Sequence, residues 1–259
     1  MRSTGYEPLN TLKSPAKGIW LIDGPAIMSY RMPFPTRATV VQLENGDLWV
    51  HAPTVLTDAL KGELDALGPV RHLIVPNWRC HASIPDWRAA YPEAVTWAAP
   101  GAVARAERKG VTLHCDHELG PQAEAPWSGQ IEQMIVEGSR VHHEVVFFHR
   151  ESETLVVTDL IRNFETAKLP VWTRPFIWVM GVDDSDGKMP PGMRMTFRKE
   201  PLADSIDRII AWAPHRMILA HGRWYERDAV GELERAFRRL LRDRRWDAVM
   251  ERMNRDREG

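Results

Sequence analysis

The chain has 259 residues, 44% apolar and 27% charged, with a formal net charge of -1. That composition supports a buried core and excludes long disorder, while the near-neutral charge excludes a global attraction to nucleic acid or to an anionic membrane. Two cysteines, Cys80 and Cys115, exclude a disulfide scaffold and suit a cytoplasmic protein.

From the N-terminus, residues 1–14 are polar and lack the apolar core of a signal peptide, and no apolar run approaches the roughly 18 residues of a membrane span. Residues 18–21 read as a short strand. Residues 38–43 and 48–52 read as two more, joined through Glu44-Asn45-Gly46-Asp47. Asn-Gly between β-rich runs predicts a two-residue hairpin turn, because both central positions accept positive φ. Leu60, Leu64 and Leu67 then recur at helical spacing over 58–67, with Gly68 at the C-terminal end. A strand at 70–75, a helix at 85–91, a strand at 95–99 and a helix at 101–109 continue the alternation expected of a sheet with covering helices.

A second β-rich block occupies 131–136, 145–148 and 154–157, followed by an irregular stretch at 164–198. Residues 202–212 form an amphipathic helix, 216–220 a strand and 226–241 a helix, and an Arg-rich helical tail fills 242–259. With no internal repeat and no linker, one domain over 1–259 with a core at about 18–241 is expected. The 11 tryptophans, against 4 tyrosines, predict that some rings line a pocket or an interface.

Four segments carry a resemblance. Arg71-His72-Leu73-Ile74-Val75-Pro76-Asn77-Trp78-Arg79-Cys80-His81 is a strand releasing a polar loop. His142 to His149 opens a hairpin, Thr154-Leu155-Val156-Val157-Thr158-Asp159-Leu160-Ile161 is a strand ending in an Asp, and Met217-Ile218-Leu219-Ala220-His221-Gly222 is one ending in His-Gly. In this order the chain resembles a divergent, uncharacterised branch of the metallo-β-lactamase superfamily. The resemblance implies an α/β fold, an αββα sandwich of two mixed β-sheets with outer helices. It also implies a site at the strand ends that draws on His81, His143, Glu144, Asp159 and His221. The family's His-x-His-x-Asp-His loop falls near 77–82, where only His81 is an imidazole, so an unmodified dinuclear zinc site is not expected.

Imidazole and carboxylate together suit one divalent ion, zinc, iron or manganese, and a site with an open position activates water. The resemblance therefore implies a metal-dependent hydrolase of a small ester, lactone or phosphoester, with Asp159 as catalytic residue, ligating the metal and orienting its hydroxide. The alternatives are a non-catalytic ligand- or protein-binding protein with a degenerate metal site, and a non-haem iron redox protein. Strand alternation sends His143 to one face and His142 with Glu144 to the other; His149 falls at a hairpin turn and reads as solvated. His114-Cys115-Asp116-His117 reads as a polar loop, and 182–187 as a turn rather than a calcium loop. No Gly-Lys-Ser loop, Gly-x-Ser-x-Gly elbow or dinucleotide fingerprint occurs, so no nucleotide cofactor is expected. The Trp- and Met-rich segment 170–195 has two readings, a loop packed over a sheet edge or a lid or homodimer contact. A small molecule is the expected partner.

Overall fold

The computed structural model describes residues 5–29, 32–184 and 187–244, with residues 246, 250 and 253. Two positions of the expected turn at 182–187 (185 and 186) and most of the expected tail at 242–259 lie outside the described residues.

Lys13–Ala16 (β1), Ile19–Ser29 (β2), Met32–Gln42 (β3) and Leu48–His51 (β4) form an antiparallel meander. The predicted pairing of 38–43 with 48–52 holds, with Val40 opposite Val50 and Val41 opposite Trp49. Its turn differs from the prediction. Gly46 N–H donates to Leu43 O and Leu43 N–H to Asp47 O, both at 2.8 Å, so the loop has three residues. Only Gly46 takes positive φ, 88°, and the Asn45 carboxamide steadies the loop by accepting from Asp47 N–H at 3.0 Å. This is a type I turn closed by a left-handed glycine. Gly46→Ala should lower stability by about 1 kcal/mol, read as a shifted urea midpoint at constant slope, because the backbone angle and not a clash opposes the side chain.

After β4 the strands run parallel. Asp58–Leu67 (α1), Val70–Val75 (β5), Ile84–Ala90 (α2), Val95–Ala98 (β6), Ala102–Glu107 (α3) and His117–Glu118 (β7) complete a seven-stranded sheet in sequential order. The Thr57 hydroxyl caps α1 by accepting from Leu60 N–H at 3.2 Å. The residue that ends α1, Gly68, is required by close approach: an added Cβ would lie 2.4 Å from Gly46 O. The segment 114–117, expected as a loop, is irregular as far as Asp116 and enters the edge strand β7 only at His117, tied to β6 as Asp116 accepts from Thr96 N–H at 2.7 Å.

The second sheet orders Arg216–Leu219 (β11), Thr154–Val157 (β10), Val145–His149 (β9) and Ile131–Ile135 (β8). Strand β10 is parallel to β11 and antiparallel to β9. Arg174–Met180 (α4), Pro191–Arg194 (α5), Lys199–Ala211 (α6) and Ala229–Ala236 (α7) complete the described elements. Alternation along the strands builds three apolar layers. Val41, Trp49 and Ile74 meet Phe147, Val156 and Ile218 between the sheets. Val40, Val50 and Leu73 lie under Leu60 and Leu64 of α1 and Trp87 of α2; Leu155, Val157 and Leu219 lie under Leu202, Ile206 and Leu233. The architecture is the αββα sandwich of two mixed sheets. Among the described residues no helix is long and apolar enough to cross a membrane.

His149 departs from its expected exposure. It is the last residue of β9, buried, with Nδ1 2.8 Å from the Ser152 hydroxyl. His51 is more deeply enclosed, stacked on Trp49 between the sheets, and burial pushes its pKa down to about 3. A folded pKa below the unfolded value near 6.5 means the unfolded chain binds the extra proton, so stability falls as pH drops below about 6.5. From pH 7 to pH 5 His51 alone should cost about 2 kcal/mol. Urea titrations of wild type and His51→Phe should show the variant's stability declining less over that interval.

Candidate functional site

In-register parallel pairing of Val157 with Leu219 carries β10 and β11 out of the sheet side by side, so the residues two further on, Asp159 and His221, become neighbours. Asp159 Oδ1 lies 3.7 Å from His221 Nε2. Each position is fixed from below. Glu144, just before β9, is buried beneath the end of β10. Its carboxylate accepts from Thr158 N–H at 2.8 Å and Asp159 N–H at 2.9 Å. Gly222 follows His221 with φ 89° and packs on Asn163, whose carbonyl oxygen would lie 1.9 Å from an added Cβ; the His-Gly pair therefore needs its glycine.

The Asp159 carboxylate is already engaged. Oδ2 accepts from Asn77 Nδ2 at 3.2 Å, and Oδ1 from two Arg162 nitrogens, Nε at 2.9 Å and Nη2. Burial pushes its pKa up, but the bonded Arg162 guanidinium and the nearby Arg79 charge outweigh burial and hold the carboxyl below the usual range. Glu144 moves oppositely, pushed up to about 7 by burial and then by the Asp159 charge. His221 Nδ1 is 2.7 Å from Pro35 O, a group that only accepts, so Nδ1 carries the hydrogen. Burial pushes His221 down, so the ring is neutral and its Nε2 lone pair faces the carboxylate. The pair presents two acceptors to one point, suited to a shared O–H donor.

Asp159 and His221 open into a cavity of about 730 Å³, which His81 and His142 also line. His81 is held at its edge by Nδ1, 3.0 Å from Trp78 O, and stacks on the Trp78 ring. The alternation expected for 142–144 does not apply, because β9 starts only at Val145. His142 faces the cavity, whereas His143 Nδ1 turns to Pro100 O at 3.0 Å, and neither His143 nor Glu144 lines the cavity. Among the described residues no three His, Cys, Asp or Glu side chains are grouped to hold a metal ion. With Asp159 bonded to Arg162 and Asn77, this donor set does not fit a resident metal in the arrangement seen.

What fills the site instead is cationic. Arg37, Arg79, Arg105, Lys109 and Arg162 line the cavity against one carboxylate, Asp159. Arg37 is bound elsewhere, to Asp23. Arg79 and Arg105 both lie over the Trp78 ring, at 5.4 and 5.5 Å from its centroid. Arg105 donates to Val141 O, but its Nε is buried without a partner. Burial and the nearby Arg79 and Arg108 charges disfavour its charged form. The Arg79 guanidinium has no hydrogen-bond acceptor among the described residues. An anion in the cavity would offset this repulsion between like charges. Sequence reasoning missed all of these arginines, although Arg79 sits inside the first signature and Arg162 one residue past the third.

The family described as a domain of unknown function (DUF4336) matches residues 16–184. Among solved structures, the chain is similar to the metallo-β-lactamase DIM-1 exposed to ceftazidime, at 11% identity and a TM-score of 0.63 over 91% of this chain and 97% of that one. It is also similar to FIM-1 from Pseudomonas aeruginosa in its mono-zinc form, at 13% identity and TM-score 0.61 over 89% and 96%. A metallo-β-lactamase from Erythrobacter litoralis gives 15% and 0.61 over 87% and 95%. No curated protein matches the sequence. At these identities the likeness concerns the fold.

Proposed function

The chain belongs to the family described as a domain of unknown function (DUF4336) and has the metallo-β-lactamase fold, and from that premise we propose that its cavity binds a small anionic molecule through guanidinium groups rather than through a metal. The observation that carries this reading is the lining: besides Arg37, which Asp23 neutralises, four cationic side chains face one carboxylate. Within it, the Arg79 guanidinium has no hydrogen bond among the described residues, and Arg162 is only partly used by Asp159. Arg79 and Arg162 donate to the anion, Arg105 and Lys109 add charge at the rim, and the neutral His221 with Asp159 accepts a ligand hydroxyl.

A second reading, the metal-dependent hydrolase of an ester, lactone or phosphoester, draws on the Asp159–His221 pair, two acceptors 3.7 Å apart that a cation would also bridge. Metal content and thermal melts separate the two. Protein purified without added metal or chelator should carry no stoichiometric zinc, iron or manganese. Its melting temperature should ignore chelator and added zinc but rise with phosphate, by an amount equivalent to about 2.7 kcal/mol at a hundredfold excess over Kd. Stoichiometric metal, with a melt lowered by chelator, would transfer the assignment to the hydrolase.

A further inference from the structure

A second cavity, of about 370 Å³, adjoins the first. The two share Phe34, Arg79, His142, Asp159 and Arg162. Beyond those shared residues the second chamber is apolar. Met32, Phe164, Ile177, Met180 and Val182 line it, and they belong to one packed cluster under α4. Phe176 stands half-exposed at its mouth, and Ile27 and Met28, at the tip of the β2–β3 hairpin, line the mouth of the cationic chamber with 46% and 61% exposure. Arginines thus stand at the junction of a charged chamber and an apolar one. An inorganic anion would use only the first.

Resting on the anion-binding reading, we propose that the ligand is amphipathic, a phosphate monoester bearing a single apolar chain. Its head lies between Arg79 and Arg162, and its chain runs past Phe34 into the chamber under α4. A phosphate fits the head position better than a carboxylate does. The guanidiniums need acceptor oxygens, while the His221 Nε2 lone pair takes a donor, and a phosphate monoester that keeps one O–H has both. An ionised carboxylate has no hydrogen to give.

The test is calorimetric titration of the intact chain with octyl phosphate, inorganic phosphate, octanoate and 1-octanol. Each buried methylene contributes about fourfold in affinity, so octyl phosphate should bind at least about 100-fold tighter than inorganic phosphate, and tighter than octanoate or octanol. Phe176→Ser should weaken octyl phosphate about tenfold and leave inorganic phosphate unchanged. Gly192→Leu, placed where an added Cβ meets open space at the apolar chamber, should do the same and guards against misfolding of the first variant. Equal affinity for octyl and inorganic phosphate would overturn the apolar chain while leaving the anion site standing. Octanoate or octanol binding as tightly as octyl phosphate would overturn the phosphate head. If no phosphate binds at all, the anion site falls and this inference with it.

Discussion

Arg37→Ala should cost about 3–5 kcal/mol of folding stability, the range for removing one partner of a buried ion pair. Arg37 and Asp23 face each other on β3 and β2, each about 2–3% exposed. The guanidinium donates to Asp23 Oδ1 from Nε at 3.1 Å and Nη2 at 2.8 Å, and through Nη1 to Leu219 O at 2.6 Å and Gly222 O at 2.9 Å. One side chain therefore ties the first sheet to the loop that carries His221. Its loss strands two buried carbonyls and leaves Asp23 with Lys13 as its remaining cation. Arg37→Lys should recover little, since an ammonium cannot reproduce the planar fork that meets the carboxylate and both carbonyls. Urea denaturation checks this, and a loss below about 1 kcal/mol in Arg37→Ala would contradict the clamp.

At the site, Arg79→Gln should weaken phosphate binding about 10- to 100-fold, because a charge-assisted hydrogen bond contributes roughly 1.5–3 kcal/mol. Folding stability should hardly change, since among the described residues the Arg79 guanidinium lies over the Trp78 face and makes no hydrogen bond. Arg162→Gln should lose as much and in addition free the Asp159 charge toward the ligand, so the double variant should fall more than 100-fold. Wild-type affinity should also decline with ionic strength. Calorimetric titration of the three variants with phosphate, beside urea melts, reads both effects. An Arg79→Gln protein that binds phosphate as wild type does would remove Arg79 from the site.

Elements whose signal is local were legible in the sequence. Helix α1 follows from Leu60, Leu64 and Leu67 with Gly68 after them, and the β3–β4 pairing from the Asn45-Gly46 signal, although the three-residue loop shifts its register by one from that of the two-residue turn expected. The strand ends at Asp159 and His221 were legible as motif positions, and the parallel register of β10 and β11 explains their meeting. The long β2–β3 hairpin was not, because Gly24, Pro25, Pro33 and Pro35 read as breakers. The structure accommodates them with a register shift between Gly24 and Ile27, and with an outer half of β3 that has no strand on its other side. Segment 170–195 likewise holds short helices whose Ile177 and Met193 are buried while Trp172 and Trp178 stay exposed. The cationic lining escaped for a different reason. Arginine is ordinary on any surface, and Arg79, Arg105 and Arg162 converge from three separate elements only in the folded chain. Their chemistry is tertiary, whereas a ligand motif such as His-Gly is visible in two letters.

The most direct measurement is titration of chelator-stripped protein with inorganic phosphate by calorimetry, in chelator throughout, followed by the same titration after zinc is restored. Binding through guanidinium groups predicts saturable, one-to-one phosphate binding in chelator, with an affinity that zinc leaves unchanged. Phosphate binding that vanishes in chelator and returns with zinc would contradict it, and would place a metal, not Arg79 and Arg162, at the centre of the site.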